Sequence, residues 1–463
     1  MNPYIFREYD IRGHAEKDFD DRLVQAIGHA LGTLIIKRQS QTKTPPRVAV
    51  GRDCRLSSPR LHTALVAGLT STGLELVDVG VVPTPLLYFA VHHLRLNGGV
   101  QITGSHNPPA DNGFKMLCGN QSLFGEDIQR LRQHVEEHID RLPPPPSTPS
   151  IEKLDIVPAY AGYMRGNIEI SYKDLRFAVD AGNGAGGPAA LAAMRAVGLD
   201  PVPLLCEMDG HFPVHHPDPS EAKNLELLRN HVLEHHLEFG IAYDGDADRI
   251  GVIDSRGDVV WGDRLMVLFA RAILKKHPNA AIIGEVKCSQ TLYDDISAQG
   301  GRPILWKTGH SLIKSKMKEE NALLAGEMSG HMFFADRYYG YDDAIYASLR
   351  LAEILAEEAR PLHVLLENLP RTYSTPELRI PCNDQQKFQI VAAVRDHFQA
   401  NHDVITIDGA RIQFDQGWGL VRASNTQPIL VLRFEAESEQ ALDAIQGEVK
   451  QVIEQVREHI KEA

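Results

Sequence analysis

The chain has only five cysteines in 463 residues, and none of them forms a CxxC pair. Cys54, Cys118, Cys206, Cys288 and Cys382 are scattered and odd in number. That pattern offers no basis for a disulfide framework or a thiolate zinc site, and it fits a reducing compartment. Positive charge is not in excess. With 48 Lys and Arg against 61 Asp and Glu, the formal net charge is -13, which argues against a nucleic-acid partner. No apolar run approaches the ~20 residues needed to span a bilayer. The opening Met-Asn-Pro-Tyr-Ile-Phe-Arg-Glu lacks the basic-then-apolar pattern of a signal peptide. The expectation is a cytoplasmic protein with neither a membrane nor a nucleic-acid partner. GxSxG is also missing, so Ser105 beside His106 is not a serine-hydrolase signature.

What is present is ordinary for a soluble globular chain: 43% hydrophobic and 24% charged residues. The length predicts three or four domains of about 100–150 residues each. An anionic small substrate stays compatible with the acidic total, because a few arginines and lysines in one cleft can reverse the local field.

Three segments repeat one plan, a short β-rich run followed by a turn and a helix-like stretch. They are Arg47-Val-Ala-Val-Gly-Arg-Asp53, Arg176-Phe-Ala-Val-Asp-Ala-Gly182 and Ala281-Ile-Ile-Gly-Glu-Val-Lys287. Strands alternating with helices predict three α/β domains with mixed or parallel sheets. The prolines of 143–149 read as a linker. A second boundary is expected near Asp254 and a third at 365–370, after an amphipathic stretch from Asp342 to Glu358. The predicted domains are therefore 1–150, 151–254, 255–367 and 368–463. The last is α+β: four closely spaced β-runs between Val404 and Phe434, then a helix with Leu442, Ile445, Val449, Val452, Ile453 and Val456 on one face.

Four short runs carry chemistry. In Thr103-Gly-Ser-His-Asn-Pro108 a strand-like segment delivers a hydroxyl onto a tight loop, with Lys115 ten residues on. The run reads either as an exposed nucleophile or as a polar turn before Pro108. Asp244-Gly-Asp-Ala-Asp-Arg249 sets three carboxylates at alternate positions, a donor set for one hard cation such as Mg²⁺. A calcium EF-hand fails on spacing, since Arg249 and Ser255 stand where glycine and glutamate are required. The alternative is a solvated acidic turn. Gly326-Glu-Met-Ser-Gly-His331 offers Glu327 and Ser329 to neighbouring hydroxyls, or is a plain glycine loop. Arg422-Ala-Ser-Asn-Thr-Gln-Pro428 is either a phosphate cradle or a polar hairpin loop.

Two further matches carry no function. Gly182-Asn-Gly-Ala-Gly-Gly187 fits GxGxxG but lacks a ribose-binding acid after a following strand, and reads as a tight strand-to-helix turn. His231-Val-Leu-Glu-His235 fits an inverted zincin motif, but lies among His215, His216 and His236 on what reads as an exposed helix and its approach.

Together, and with Tyr9-Asp-Ile-Arg-Gly13 and Lys307-Thr-Gly-His310, these runs resemble the α-D-phosphohexomutases in the same order over essentially the full length. The wording of the Glu327 and Arg422 loops is most similar to the bacterial phosphomannomutase/phosphoglucomutase branch. Phosphoglucosamine mutases usually carry Gly-Glu-Gln-Ser-Gly-His and Arg-Pro-Ser-Gly-Thr instead. The resemblance implies four domains around a central cleft, each contributing one loop. It implies that Ser105 is a phosphoserine whose phosphate completes a Mg²⁺ site with Asp244, Asp246 and Asp248. Glu327 and Ser329 would hold sugar hydroxyls, and Arg422, Ser424, Asn425 and Thr426 a phosphate. Tyr9, Arg12, Lys115, Arg249, Lys287, His310 and His331 would line the cleft, while His106 and Asn107 shape the phosphoserine loop against the substrate. The implied reaction interconverts hexose 1-phosphate and hexose 6-phosphate by way of a hexose 1,6-bisphosphate, with glucose 1,6-bisphosphate as activator. Lys115, Arg249 and His310 are the candidates for general base. A monomer acting on small phosphosugars is expected. A phosphoglucosamine mutase, a phosphosugar phosphatase and a non-catalytic phosphosugar sensor on the same fold are the alternatives.

Overall fold

The computed structural model describes residues 1–38, 44–172, 174–425 and 427–462. The first sheet is mixed. Its centre is three parallel strands, Glu75–Val81, Arg47–Arg52 and Gly98–Ile102. Asp111–Cys118 then runs antiparallel to Gly98–Ile102, and Ile11–His14 antiparallel to Asp111–Cys118. Gly98–Ile102 is buried at every position. This is the mark of a strand covered on both faces, and it explains a continuous apolar run rather than an alternating one. Ile151–Lys153 returns after the proline segment to pair with Glu75–Val81. The first sheet thus extends past residue 150, because an edge of unpaired N–H and C=O groups recruits the chain beyond the prolines.

The second sheet runs in the order Val259–Val260, Ile250–Asp254, Phe239–Tyr243, Phe177–Asp180, Val202–Leu204. The expected boundary at residue 254 falls inside it, in the hairpin that sets Val252 opposite Val260. The third sheet has the order Arg302–Trp306, Ala281–Glu285, Leu324–Gly326, Met332–Phe334. The fourth is wholly antiparallel. Val404–Ile405, Ala410–Phe414, Gly417–Ala423 and Ile429–Ala436 form the expected meander, extended by Leu378–Pro381 and Tyr373–Ser374. The helices Gln386–Gln399 and Glu439–Glu462 pack against it. Val449, Val452 and Ile453 are buried in that core, each such side chain contributing about 1.5–3 kcal/mol by its removal from water.

The largest apolar core is continuous across the first three sheets, and the helix Ala344–Glu358 runs through it. Residues 344–352 of this helix are all buried. The amphipathic reading of 342–358 is therefore corrected: the helix packs on Gly186–Ala196 and Gly262–Lys276 and on two sheets, and has no solvent face over its first half. Among the described residues, no helix is long and apolar enough to cross a membrane.

The three α/β units also place their loops alike. In each, the strand of the repeated segment lies parallel to a second strand, and that strand turns back antiparallel. The three turns are 103–110, 244–249 and 327–331. These are the serine, aspartate and glutamate loops, and they meet at one cleft.

Candidate active site

Ser105 sits on its turn with a left-handed backbone, φ 50°, an uncommon conformation for a non-glycine residue. Its N–H donates to Thr103 Oγ1 at 2.8 Å, and its hydroxyl donates to Asp244 Oδ2 at 2.7 Å. The two turns, 139 residues apart in sequence, are thereby face to face. Behind the serine loop lies Arg55, only 1% exposed, whose guanidinium donates to the carbonyls of Ser105, Asn107, Pro108 and Asp111. Neither Arg55 nor its partner Asp53 stood out in the sequence. The available signal was an acid and a base two residues apart at the end of a repeated strand.

Asp244, Asp246 and Asp248 are fully buried, with one carboxylate oxygen from each within 4.8 Å of the others. Asp244 Oδ1 accepts the N–H groups of Asp248 and Arg249 at 3.1 and 3.2 Å, which fixes the turn. The Gly182–Gly187 turn backs this loop: the Ala185 N–H donates to the Gly245 carbonyl at 2.9 Å, a structural job for the GxGxxG match. Asp246 Oδ2 accepts from Lys115 Nζ at 2.8 Å and from the Thr84 hydroxyl, and Lys115 also pairs with Asp248. Asp246 Oδ1 is buried without a hydrogen-bond partner. Such an orphan is costly unless a cation takes it up. An all-oxygen set with an unused buried lone pair fits a hard divalent ion.

The charges in this cluster push against one another. Burial and the like charges of Asp248 and Asp246 drive the Asp244 carboxyl well above its usual range. Burial opposes the Asp248 carboxylate too, but Lys115 and His331 outweigh it and hold that group well below. Burial also opposes the Lys115 ammonium, yet Asp246 and Asp248 raise it well above the ordinary lysine value. Lys115 is a fixed cation here.

The glutamate loop is tied to the same cluster by His331. His331 Nδ1 lies 2.8 Å from Glu327 Oε2, and Nε2 lies 3.3 Å from Asp248 Oδ1. The two carboxylates outweigh burial and push His331 up to about 9. Ser329 Oγ donates to Glu327 Oε2 at 3.0 Å, and the Gly309 N–H donates to Glu327 Oε1 at 2.8 Å. Arg249 Nε approaches His331 Nε2 at 3.4 Å. His310, at the start of the helix His310–Glu320, has ring centroids 6.0 Å from Tyr9 and 5.9 Å from His331. Burial, Lys314 and Lys115 hold His310 well below the usual imidazole range, and its Nδ1 is buried without a hydrogen-bond partner. That nitrogen faces the Asp342 carboxylate at 3.5 Å, while burial and the lysines keep the ring neutral.

The remaining expected residues close the ring. Arg12 donates to Asp10 at 2.6 Å and to Asn107 at 3.2 Å. His106 Nδ1 lies 3.0 Å from Asp218, a residue with no motif of its own in the sequence, and burial with Arg249 nearby lowers His106 to about 4. Lys287 reaches Glu377 of the fourth unit at 3.0 Å. Arg422 Nε donates to Asp408 at 3.1 Å, and the Ser424 hydroxyl accepts the Gln427 N–H at 3.1 Å. Asn425 donates to the Tyr9 hydroxyl at 2.7 Å. Lys387, buried and absent from the sequence reading, donates to the carbonyls of Ser424 and Gln427 and so braces the Arg422 loop from behind. Thr426 lies outside the described residues.

All four segments match family models of the phosphoglucomutase/phosphomannomutase type: domain I at residues 3–141, domain II at 158–257, domain III at 261–373 and the C-terminal domain at 377–452. A phosphomannomutase/phosphoglucomutase of Pseudomonas aeruginosa is 45% identical over 95% of this chain and 93% of its own. A phosphoglucomutase of Neisseria gonorrhoeae is 44% identical over 97% and 96%. The crystal structure of a phosphoglucomutase/phosphomannomutase family protein from Burkholderia thailandensis superimposes with a TM-score of 0.90 at 40% identity, covering 99% of this chain and 98% of that one. With its fold, its four domains and nearly all of its length matched, this chain belongs to the phosphoglucomutase/phosphomannomutase family.

Proposed function

We propose that the protein is a phosphomannomutase/phosphoglucomutase, an isomerase that interconverts the 1- and 6-phosphates of mannose and glucose through phosphoserine 105. The observation that carries this reading is the Ser105 hydroxyl aimed at Asp244 of a dry, three-carboxylate loop. It lies in the same cleft as a phosphate-type cradle at Arg422 and a hydroxyl-binding pair at Glu327 and Ser329. Asp244, Asp246, Asp248 and the phosphate on Ser105 would hold Mg²⁺, which on binding neutralises charge spread over the transferring phosphoryl group.

The chain's own groups supply the rest. Arg422, Ser424, Asn425 and Thr426 grip the phosphate that is not moving. Arg12, Lys287, Tyr9 and His331 line the path of the sugar, and His106 and Asn107 shape the serine loop. His310 is the general base, since of the three candidates it alone is held neutral, whereas Lys115 is a fixed cation and a guanidinium stays protonated. It takes the proton of the free sugar hydroxyl while the phosphorus–oxygen bond to Ser105 breaks and the one to the sugar forms. The proton passes to the freed Ser105 oxygen. The hexose 1,6-bisphosphate then turns end for end, and the other phosphate returns to Ser105 by the reverse of these steps. Glucose 1,6-bisphosphate added from outside would charge an unphosphorylated enzyme and so act as activator. A grip by Glu327 and Ser329 on hydroxyls away from C2 accepts both glucose and mannose, which differ only there.

A coupled assay with mannose 1-phosphate and glucose 1-phosphate, with and without glucose 1,6-bisphosphate, tests the reading. Turnover by the wild type that is lost in Ser105→Ala is expected. An inactive wild type, or a Ser105→Ala enzyme that works equally well, would sink it.

A further inference from the structure

Arg55, a fully buried cation beside the active site, has no direct part in binding or transfer. Arg55 follows Asp53 at the end of the strand Arg47–Arg52, as Lys287 follows Glu285 at the end of Ala281–Glu285. The two acids play one local part. Asp53 accepts the Arg55 N–H at 3.0 Å and the Gly104 N–H of the serine loop at 3.1 Å. Glu285 accepts the Lys287 N–H at 2.8 Å and the Met328 N–H of the glutamate loop at 3.3 Å. The two cations then diverge. Lys287 faces the cleft and meets Glu377, while Arg55 turns beneath its own loop.

There Arg55 uses every donor it has. Nε donates to Asp53 at 3.1 Å. One terminal nitrogen donates to the carbonyls of Pro108 at 2.6 Å and Asp111 at 3.0 Å, the other to those of Ser105 and Asn107, both at 2.7 Å. Five N–H groups in a planar fork meet five acceptors, a pattern that lysine, with three donors on one atom, cannot copy. The second domain keeps this cage dry. The Phe212 ring covers the guanidinium at 5.2 Å, and Gly210 packs so close that a Cβ there would lie 2.4 Å from the Cys54 carbonyl oxygen. A disfavoured backbone at a reacting residue persists only where its surroundings over-determine it. Here the over-determining group is Arg55.

We propose that Arg55 is a positioning residue for phosphoryl transfer: by drawing four carbonyls of the serine loop onto one guanidinium, it holds Ser105 in the left-handed backbone that aims Oγ at the aspartate loop. The proposal rests on the mutase reading. All five Arg55 donors are taken by the protein, so its loss is expected to move the reacting oxygen while leaving the Arg422 and Glu327 loops intact.

The test is Arg55→Lys and Arg55→Ala in the full-length protein. Arg55→Lys is expected to lose about 10²-fold in kcat, the scale of a misplacement near 1 Å, with KM for glucose 1-phosphate within about twofold of wild type. Millimolar guanidinium ion is expected to restore part of the kcat of Arg55→Ala and to leave Ser105→Ala unaffected. Amide exchange is expected to quicken at residues 104–111 alone. An unchanged kcat in Arg55→Lys, a loss confined to KM, or exchange that quickens throughout the first domain would each overturn the proposal. Should the Arg55 variants not fold, Asp53→Asn reads the same loop through Gly104, and a normal kcat there overturns it as well. A wild type that does not interconvert hexose phosphates would count against the mutase reading instead, and the exchange measurement would still report whether Arg55 holds the loop.

Discussion

Asn425 and Tyr9, 416 residues apart, are joined by a hydrogen bond of 2.7 Å from the amide nitrogen to the phenol oxygen. The same phenol donates to the Thr308 carbonyl at 2.9 Å. One hydroxyl thus links the first, third and fourth units at the rim of the cleft. Burial raises the Tyr9 phenol above its usual value, so it stays protonated and able to donate. The Thr308 N–H in turn donates to Asp408, which also accepts from Arg422. The Arg422 loop of the fourth unit is therefore registered against the other domains through a short polar chain.

Tyr9→Phe removes both links without emptying the space. Each net hydrogen bond is worth about 0.5–1.5 kcal/mol. The variant should raise KM for glucose 1-phosphate by about 5- to 150-fold with a smaller change in kcat. Small-angle scattering should show weaker compaction on ligand addition than in wild type. Equal KM values would mean that this contact does not help to seat the fourth unit.

Asp246→Asn keeps the shape of the aspartate loop and removes one anionic ligand. Calorimetric titration with Mg²⁺ should show affinity lower by at least about tenfold, and chelation of the wild-type protein should abolish turnover, which returned Mg²⁺ restores. Undiminished Mg²⁺ affinity in the variant would place the ion elsewhere.

His310→Gln should lower kcat by about 10²–10⁴-fold, the usual worth of a positioned general base. Because burial and Lys314 hold the imidazole neutral, the wild-type rate should stay level as pH falls through the ordinary histidine range, and drop only below it. A wild-type kcat that halves near pH 6.5, or a His310→Gln enzyme of normal rate, would assign the base to another group.

Asp343 sits in the buried aromatic junction of the first three units. It accepts from the hydroxyls of Tyr160 and Tyr338 and caps the helix Ala344–Glu358 through the Tyr346 N–H. Burial outweighs these bonds and raises its carboxyl to about 6, from an ordinary 3.8. The folded form then holds the proton more tightly, so its contribution is present at low pH and is lost as pH rises from about 4 to about 6. That loss is about 3 kcal/mol. Asp343→Asn does not titrate. Its stability in urea relative to wild type should improve from pH 4 to pH 6 and then level off; a constant difference across that window would refute the shift.

The site loops were legible because each is a contiguous run at the end of a strand. Ser105, the three aspartates and Glu327 stand on turns that follow strands, and Arg422 near the end of Gly417–Ala423, although all of them are buried in the structure. Residues that act on these loops from another segment were not legible. Asp53 and Arg55 reach the serine loop only because Arg47–Arg52 pairs in parallel with Gly98–Ile102. Asp218 meets His106, and Lys387 meets the Ser424 carbonyl, through contacts 112 and 37 residues apart. The pairing of Ile151–Lys153 and of Val259–Val260 with their sheets was not legible for a similar reason: it rests on hydrogen bonding, which composition does not report.

Local spacing in the sequence was enough to indicate three strand-turn-helix units, a final antiparallel meander, and four polar loops that read either as ligand sites or as plain turns, which the resemblance to the phosphohexomutases joined into one site. These follow from periodicity and turn preference, which act over a few residues. Only the tertiary structure decided which groups face each other and in which charge state. Lys115 is a fixed cation because two buried aspartates surround it, His310 is neutral because burial and lysines disfavour its charge, and Ser105 is held twisted by an arginine fifty residues away. Desolvation and Coulomb interaction depend on distance in space and on exclusion of water, and neither can be read along the chain.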